Sequence, residues 1–162
     1  MNHWIGRALD GTYGIIVDTA IFDRICDDAD EIETGGVLVG YYTEDRTTAI
    51  VTEVALPPPD SKSGKTWFHR GRGGLRRLFA QRWEARQRTY YLGEWHYHPA
   101  TDIEPSGDDL SQMLKISMDS RYQCSEPIML IVGRPLIKGM CPARAFVFPR
   151  GEHFKELVDP AK

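Results

Sequence analysis

Six consecutive apolar residues, Pro127 to Val132, constrain the fold more than any other feature, because such a run without polar alternation reads as a central strand. Candidate strands lie on both sides of it in the chain. Tyr13 to Val17 alternates weakly and is rich in Ile and Val. Gly35 to Tyr42 and Thr47 to Leu56 flank the turn Glu44-Asp45-Arg46 and predict an antiparallel hairpin. Tyr90 to Tyr97 is aromatic-rich and is closed by His98-Pro99, Thr66 to His69 predicts a short strand, and Ala143 to Phe148 is the last. Three helices alternate with these strands. Asp18 caps the first, which runs to about Asp30 with Ala20, Ile21, Ile25 and Cys26 as its buried stripe. The second runs from Leu75 to about Arg88, with Leu78, Phe79 and Trp83 at helical spacing behind Gly71, Gly73 and Gly74. The third runs from Gly107 to about Met118 behind the cap Ser106, with Leu110, Met113, Leu114 and Ser117 on its inner face. The order predicts an α/β fold, a mixed sheet flanked by helices, and the 162 residues suit a single domain, 1–162.

Between the hairpin and the second helix, Pro57 to Lys65 holds three prolines followed by small polar residues, which predicts an exposed, mobile loop. The apolar runs are too short to span a bilayer and Met1 to Asp10 lacks a signal core, so the expected location is the cytoplasm, with no membrane partner. Cys26, Cys124 and Cys141 are odd in number and form no Cys-x-x-Cys pair, so reduced, partly buried thiols are expected. A net charge of -3 argues against a dedicated nucleic-acid binder.

The chemistry concentrates in Glu94-Trp95-His96-Tyr97-His98-Pro99 and Ser106-Gly107-Asp108-Asp109. Strand alternation puts His96 and His98 on one face, close enough to share a metal ion, and Asp109 is a candidate third ligand. Two His and one carboxylate leave a zinc ion an open position, as hydrolysis requires. Read alone, Ser106 and Asp109 equally form a capping box at a helix start, and the two readings are compatible.

These residues resemble the JAMM metallopeptidases, the JAB/MPN family. The family pattern is His-x-His-Pro, then Ser-x-x-Asp with seven residues between the second His and the Ser, and an upstream Glu-x-Gly-Gly opening a strand; His96 to Pro99, Ser106 to Asp109 and Glu33-Thr34-Gly35-Gly36 match it. The resemblance covers most of residues 13 to 149 and implies a cytidine-deaminase-like α/β architecture with its core there. It implies that His96, His98 and Asp109 ligate Zn²⁺, that Glu33 is the acid/base, and that Ser106 stabilises the oxyanion. Zinc lowers the pKa of bound water from about 15.7 towards 7, within reach of a carboxylate base. Glu31 is the competing acid, two residues outside the match. Nucleobase deamination, the rival chemistry on a related fold, would need His-x-Glu and Pro-Cys-x-x-Cys, and neither is present.

His69 to Arg88 holds Arg70, Arg72, Arg76, Arg77, Arg82, Arg86 and Arg88 against Glu84 alone. A solvated basic helix face accounts for this most simply, a phosphate-binding footprint is a second reading, and a surface that holds an acidic or extended protein tail is a third. Together with Glu94-Trp95 and the short length, the basic helix resembles the JAB-domain isopeptidases of CBASS antiphage operons. That resemblance implies removal of conjugates made through the C-terminus of a cGAS-like nucleotidyltransferase (CD-NTase). The implied partner is a protein C-terminal tail, of a CD-NTase or a ubiquitin-like protein, added beside a sheet edge and passing a narrow channel near Gly35-Gly36, with the Pro57 to Lys65 loop and the following Trp67-Phe68 as a clamp. Processing of small sulfur-carrier proteins and a non-catalytic MPN scaffold are the alternatives.

Overall fold

The computed structural model describes residues 3–27, 31–100, 103–137 and 141–162. In chain order these form β1 (His3–Arg7), β2 (Gly14–Asp18), α1 (Thr19–Asp27), β3 (Thr34–Tyr42), β4 (Thr48–Val54), β5 (Lys62–Ser63), β6 (Phe68–His69), α2 (Leu75–Glu84), β7 (Tyr90–His98) and α3 (Gly107–Met118). A 3-10 turn over Ser120–Tyr122 follows, then β8 (Ile128–Gly133), β9 (Ala143–Val147) and β10 (Lys155–Leu157).

Eight strands build one mixed sheet in the order β1-β2-β4-β3-β7-β8-β9-β10, and β5 pairs with β6 in a separate small hairpin. The pairs β2–β4 and β7–β8 are parallel, and α3 lies in the crossover from β7 to β8. The outer strands meet. Arg7 N donates to Val158 O at 2.8 Å and Val158 N to Arg7 O at 2.9 Å, so the two edges of the sheet are bridged to each other. Sequence reading missed both outer strands: β1 interrupts its apolar residues with Gly6, and β10 is three residues long and exists through its pairing with β9.

The apolar run behaves as a central strand must. Ile128, Leu130 and Val132 of β8 join one cluster with Ile21 and Ile25 of α1, while Met129 and Ile131 join another with Met113 and Ile116 of α3. Each fully buried side chain of this size contributes about 1.5–3 kcal/mol by leaving water. Leu75, Leu78 and Phe79 of α2 pack half-buried against the second cluster, so α2 and α3 share one face of the sheet and α1 covers the other.

Several expectations need correction. The first helix is capped by Asp18, whose Oδ1 accepts from Ala20 N at 2.9 Å, but Ala20 itself is exposed and Phe22 packs in its place. The expected continuation to Asp30 falls at 28–30, outside the described residues. The second helix stops at Glu84 because Ala85 turns extended, and Trp83 is 53% exposed rather than packed inward. On α3 the inner face is Asp109, Met113, Ile116 and Ser117, while Leu114 is exposed: the helix is rotated so that Asp109 faces the sheet.

The segment from Pro57 to Lys65 is pinned rather than free. Asp60 accepts from Arg72 N at 3.0 Å and Gly73 N at 2.8 Å, Ser61 Oγ accepts from Gly71 N at 2.9 Å, and Lys62–Ser63 pairs with Phe68–His69. Cys26 and Cys141 are joined in a disulfide spanning 115 residues of sequence, against the expectation of three reduced thiols, and Cys124 is free and buried. The end of α1 and the approach to β9 meet over the same cluster, a proximity that sequence spacing does not encode.

Candidate metal centre

The site is laid out by β7. Leu92 and Trp95 are three residues apart yet share one cluster, because the β3–β7 ladder shifts register between Leu38 and Val39, opposite Gly93. Beyond that bulge regular alternation resumes. Trp95 and Tyr97 point into the α1-side core, and Glu94, His96 and His98 point to the face covered by α2 and α3. Trp95 is locked by its Nε1 donating to Ala55 O at 2.9 Å.

On that face α3 delivers Asp109. Ser106 Oγ accepts from Asp109 N at 3.1 Å and Asp109 Oδ2 accepts from Ser106 N at 2.8 Å, a complete capping box. The carboxylate that caps the helix is therefore also aimed at the histidines. Its Oδ1 lies 3.1 Å from His96 Nδ1 and its Oδ2 3.6 Å from His98 Nε2. One donor atom from each of His96, His98 and Asp109 lies within 4.8 Å of the others. His96 is 1% exposed, His98 6%, Asp109 6% and Glu33 9%.

Both ring nitrogens of His96 are buried without a hydrogen-bond partner, a costly state for an imidazole and a fitting one for a ligand. Two imidazoles and a carboxylate suit a divalent transition metal and leave a coordination position open. Burial works to raise the Asp109 carboxyl, but the His96 ring and the Ser106 contacts outweigh it and hold the group below the usual carboxylate range.

Glu33 stands opposite, its Oε1 3.9 Å from His98 Nε2. Burial, then the negative charge of Asp109, push its carboxyl up to about 7, with His96 partly opposing. Its backbone N donates to Gly64 O at 2.9 Å, so the β5–β6 hairpin fixes the start of β3 and with it the acid. Glu31, the competing acid, is exposed.

The glycines of the Glu-x-Gly-Gly segment now have a physical role. A Cβ on Gly35 would sit 2.8 Å from His96 Cδ2 and 2.8 Å from Phe68 Cε1, and one on Gly36 would sit 2.1 Å from Ala55 O. The space a side chain would take at either position is occupied by protein, and neither glycine is among the residues lining the cleft. The cleft itself, about 410 Å³, lies between α3 and the hairpin, with Glu33, Trp67, Phe68, Ser106, Asp109 and Gln112 in its walls. Phe68 stands edge-on to the His96 ring at 5.4 Å.

Sequence reasoning missed the support beneath the histidines. Arg70, counted there as part of a solvated basic face, has its side chain 5% exposed, and its Nε donates to Glu94 Oε2 at 2.7 Å. Its other nitrogens donate to Gly71 O at 2.8 Å and Tyr122 OH at 3.0 Å, and Tyr91 OH donates to Glu94 Oε1 at 2.7 Å. This network ties the chain beyond β6 to the strand carrying both histidines. Arg82 likewise pairs with Glu53, at 2.6 and 2.9 Å. Pairs separated by 24 and 29 residues leave no local signal.

Residues 19–146 match a family model described as prokaryotic homologs of the JAB domain. A protein of Enterobacter hormaechei subsp. hoffmannii named CD-NTase/cGAS isopeptidase is 43% identical over 143 residues, covering 86% of this chain and 78% of the relative. A Pseudomonas aeruginosa protein of the same name is 32% identical over 105 residues, 64% of this chain and 65% of the relative. The solution structure of protein DSY2949 from Desulfitobacterium hafniense superposes with a TM-score of 0.56 at 18% identity, covering 86% of this chain and 87% of that one, a likeness of fold.

Proposed function

The chain belongs to the prokaryotic homologs of the JAB domain, and on that premise we propose that it is a zinc-dependent isopeptidase acting on the C-terminal linkage of a CD-NTase or ubiquitin-like protein conjugate. The observation that carries this reading is the buried convergence of His96, His98 and Asp109 with Glu33 beside them. The relatives named CD-NTase/cGAS isopeptidase support the client class.

His96, His98 and Asp109 would hold the zinc ion, which when bound supplies Lewis-acid activation of water and of the carbonyl under attack. Glu33 accepts the proton of the attacking water on its carboxylate and passes it to the leaving amine. Burial and the Asp109 charge push that carboxyl up to about 7 in the metal-free protein, and a cation held by the neighbouring ligands would favour its ionised form, the form that accepts a proton near neutral pH. Ser106 Oγ accepts from Asp109 N with one lone pair, so its own O–H remains to donate to the oxygen on which charge develops. The hairpin that anchors Glu33 also edges the cleft, and an extended tail laid against it would bring its terminal carbonyl between Glu33 and Ser106.

The test is a CD-NTase C-terminal tail fused to a reporter, incubated with the purified protein and mapped by mass spectrometry. Cleavage after the native C-terminus, lost with chelator and restored by zinc, is expected. Cleavage of a sulfur-carrier fusion alone would select that client instead, and cleavage indifferent to chelator would contradict the metal chemistry.

A further inference from the structure

On the face that carries the metal site, a groove of about 1220 Å³ lies between α2, β7 and the 3-10 turn, and Arg70 stands in the wall it shares with the catalytic cleft. It exceeds the roughly 300–1,000 Å³ of small-molecule sites and has the scale of a polypeptide segment. Its floor is apolar, with Phe79 of α2 edge-on to Tyr91 at 6.0 Å. At its rim Trp83 is 53% exposed, its ring 6.5 Å from Tyr90 and the Arg88 guanidinium 4.9 Å from it.

Among the described residues the charge lining this groove is of one sign: arginines contribute to it and no Asp or Glu does, in a chain of net charge -3. Arg46 and Arg121 are partly neutralised by Glu126 and Asp119. Arg72 and Arg76 make no ion pair within 4.0 Å among the described residues; Arg72 has the Asp60 carboxylate at its backbone N and Asp119 within its field, so Arg76 is the least compensated charge of the groove. An exposed Trp flanked by arginines over an apolar floor is the composition of a protein-binding hot spot.

We propose that this groove docks an acidic peptide segment bearing a bulky apolar side chain, contributed by the protein substrate away from the bond that is cut. The inference rests on the reading that the neighbouring cleft hydrolyses protein conjugates. Arg72 and Arg76 meet the acidic side chains, Trp83 and Phe79 receive the apolar one, and the shared wall at Arg70 lets one polypeptide occupy groove and cleft together. A single strand of nucleic acid would want a series of exposed rings on which bases stack. Here Trp83 alone is largely exposed, and the arginines border an apolar trough.

The experiment is fluorescence anisotropy on the full chain in chelator, with three labelled probes of about twelve units: a peptide of Asp, Glu and Phe, the same peptide with Lys for the acids, and oligothymidylate. The acidic peptide should bind in the micromolar range and weaken as salt is raised. Its Kd should rise at least tenfold in Arg72→Glu/Arg76→Glu and in Trp83→Ala, both at exposed positions. It should change less than twofold in Arg24→Glu, on the α1 side of the sheet. Equal binding of the basic peptide, tighter binding of oligothymidylate, or indifference to the Arg72/Arg76 reversal would overturn the proposal. Because no turnover is needed, a chain that binds the acidic probe but cleaves nothing refutes the catalytic reading alone. A chain that cleaves a minimal tail reporter but does not bind the probe refutes the groove alone.

Discussion

Replacing Glu33 by Gln should stabilise the metal-free protein, and the gain should appear only as pH rises. The carboxyl is buried against Asp109, so its ionisation moves from 4.5 up to about 7 on folding. A group whose folded pKa is raised contributes stability fully present below the unfolded value and lost as pH rises through the folded one. Below pH 4.5 Glu33 is therefore protonated in both states and the native protein bears no penalty. Between 4.5 and about 7 the unfolded chain sheds the proton first, and at 1.36 kcal/mol per pH unit the accumulated cost is about 3 kcal/mol. Glu33→Gln keeps the shape and removes the titration. Urea unfolding of chelator-treated wild type and variant, from pH 4.5 to 8, should give stabilities that diverge by about 3 kcal/mol in favour of Gln. That corresponds to roughly 6–12 °C in Tm for a domain of this size. Saturating zinc should close most of the gap, because a cation held by the neighbouring ligands favours the carboxylate as an anion. Parallel stability curves across that range, within about 0.5 kcal/mol, would refute the argument that burial destabilises the charged acid.

The other expectations concern the ligands and their supports. Asp109→Ala should lower zinc occupancy and, even without zinc, cost about 1 kcal/mol through the lost capping box, read by equilibrium dialysis and by denaturation in chelator. Gly35→Ala forces a methyl group within 2.8 Å of the His96 ring, so it should cost roughly 1–3 kcal/mol and displace the histidine, seen as weaker metal binding. Arg70→Met leaves Glu94 buried and unpaired and should cost about 3–5 kcal/mol in urea unfolding, partly relieved by the added change Glu94→Gln.

How much of this was legible in the sequence depends on how local each cause is. The run Pro127 to Val132 announced a strand covered on both faces, and Ser106 to Asp109 announced the α3 cap, because alternation and capping are written within a few residues. His96 and His98 followed from strand alternation, since the re-phasing bulge lies before them at Gly93. What stayed hidden was made by distant segments: the pairing of β10 with β9, the Cys26–Cys141 link, and the role of Arg70 beneath the histidines. The rotation of α3 was also out of reach of apolar spacing, which rightly placed Leu110 and Met113 against the core but favoured Leu114, where the structure turns polar Asp109 inward. Hydrophobicity alone argues against a buried carboxylate; the capping box with Ser106 and the two histidines it faces account for this one.

The account rests on that ligand set binding a cation. Purified protein, stripped by chelator and reloaded with zinc, should retain one zinc ion per chain by elemental analysis. Its X-ray absorption should report nitrogen and oxygen neighbours without sulfur, and His96→Ala should retain none. A folded protein that takes up no zinc at micromolar concentration, or that keeps it undiminished in His96→Ala, would contradict the central claim.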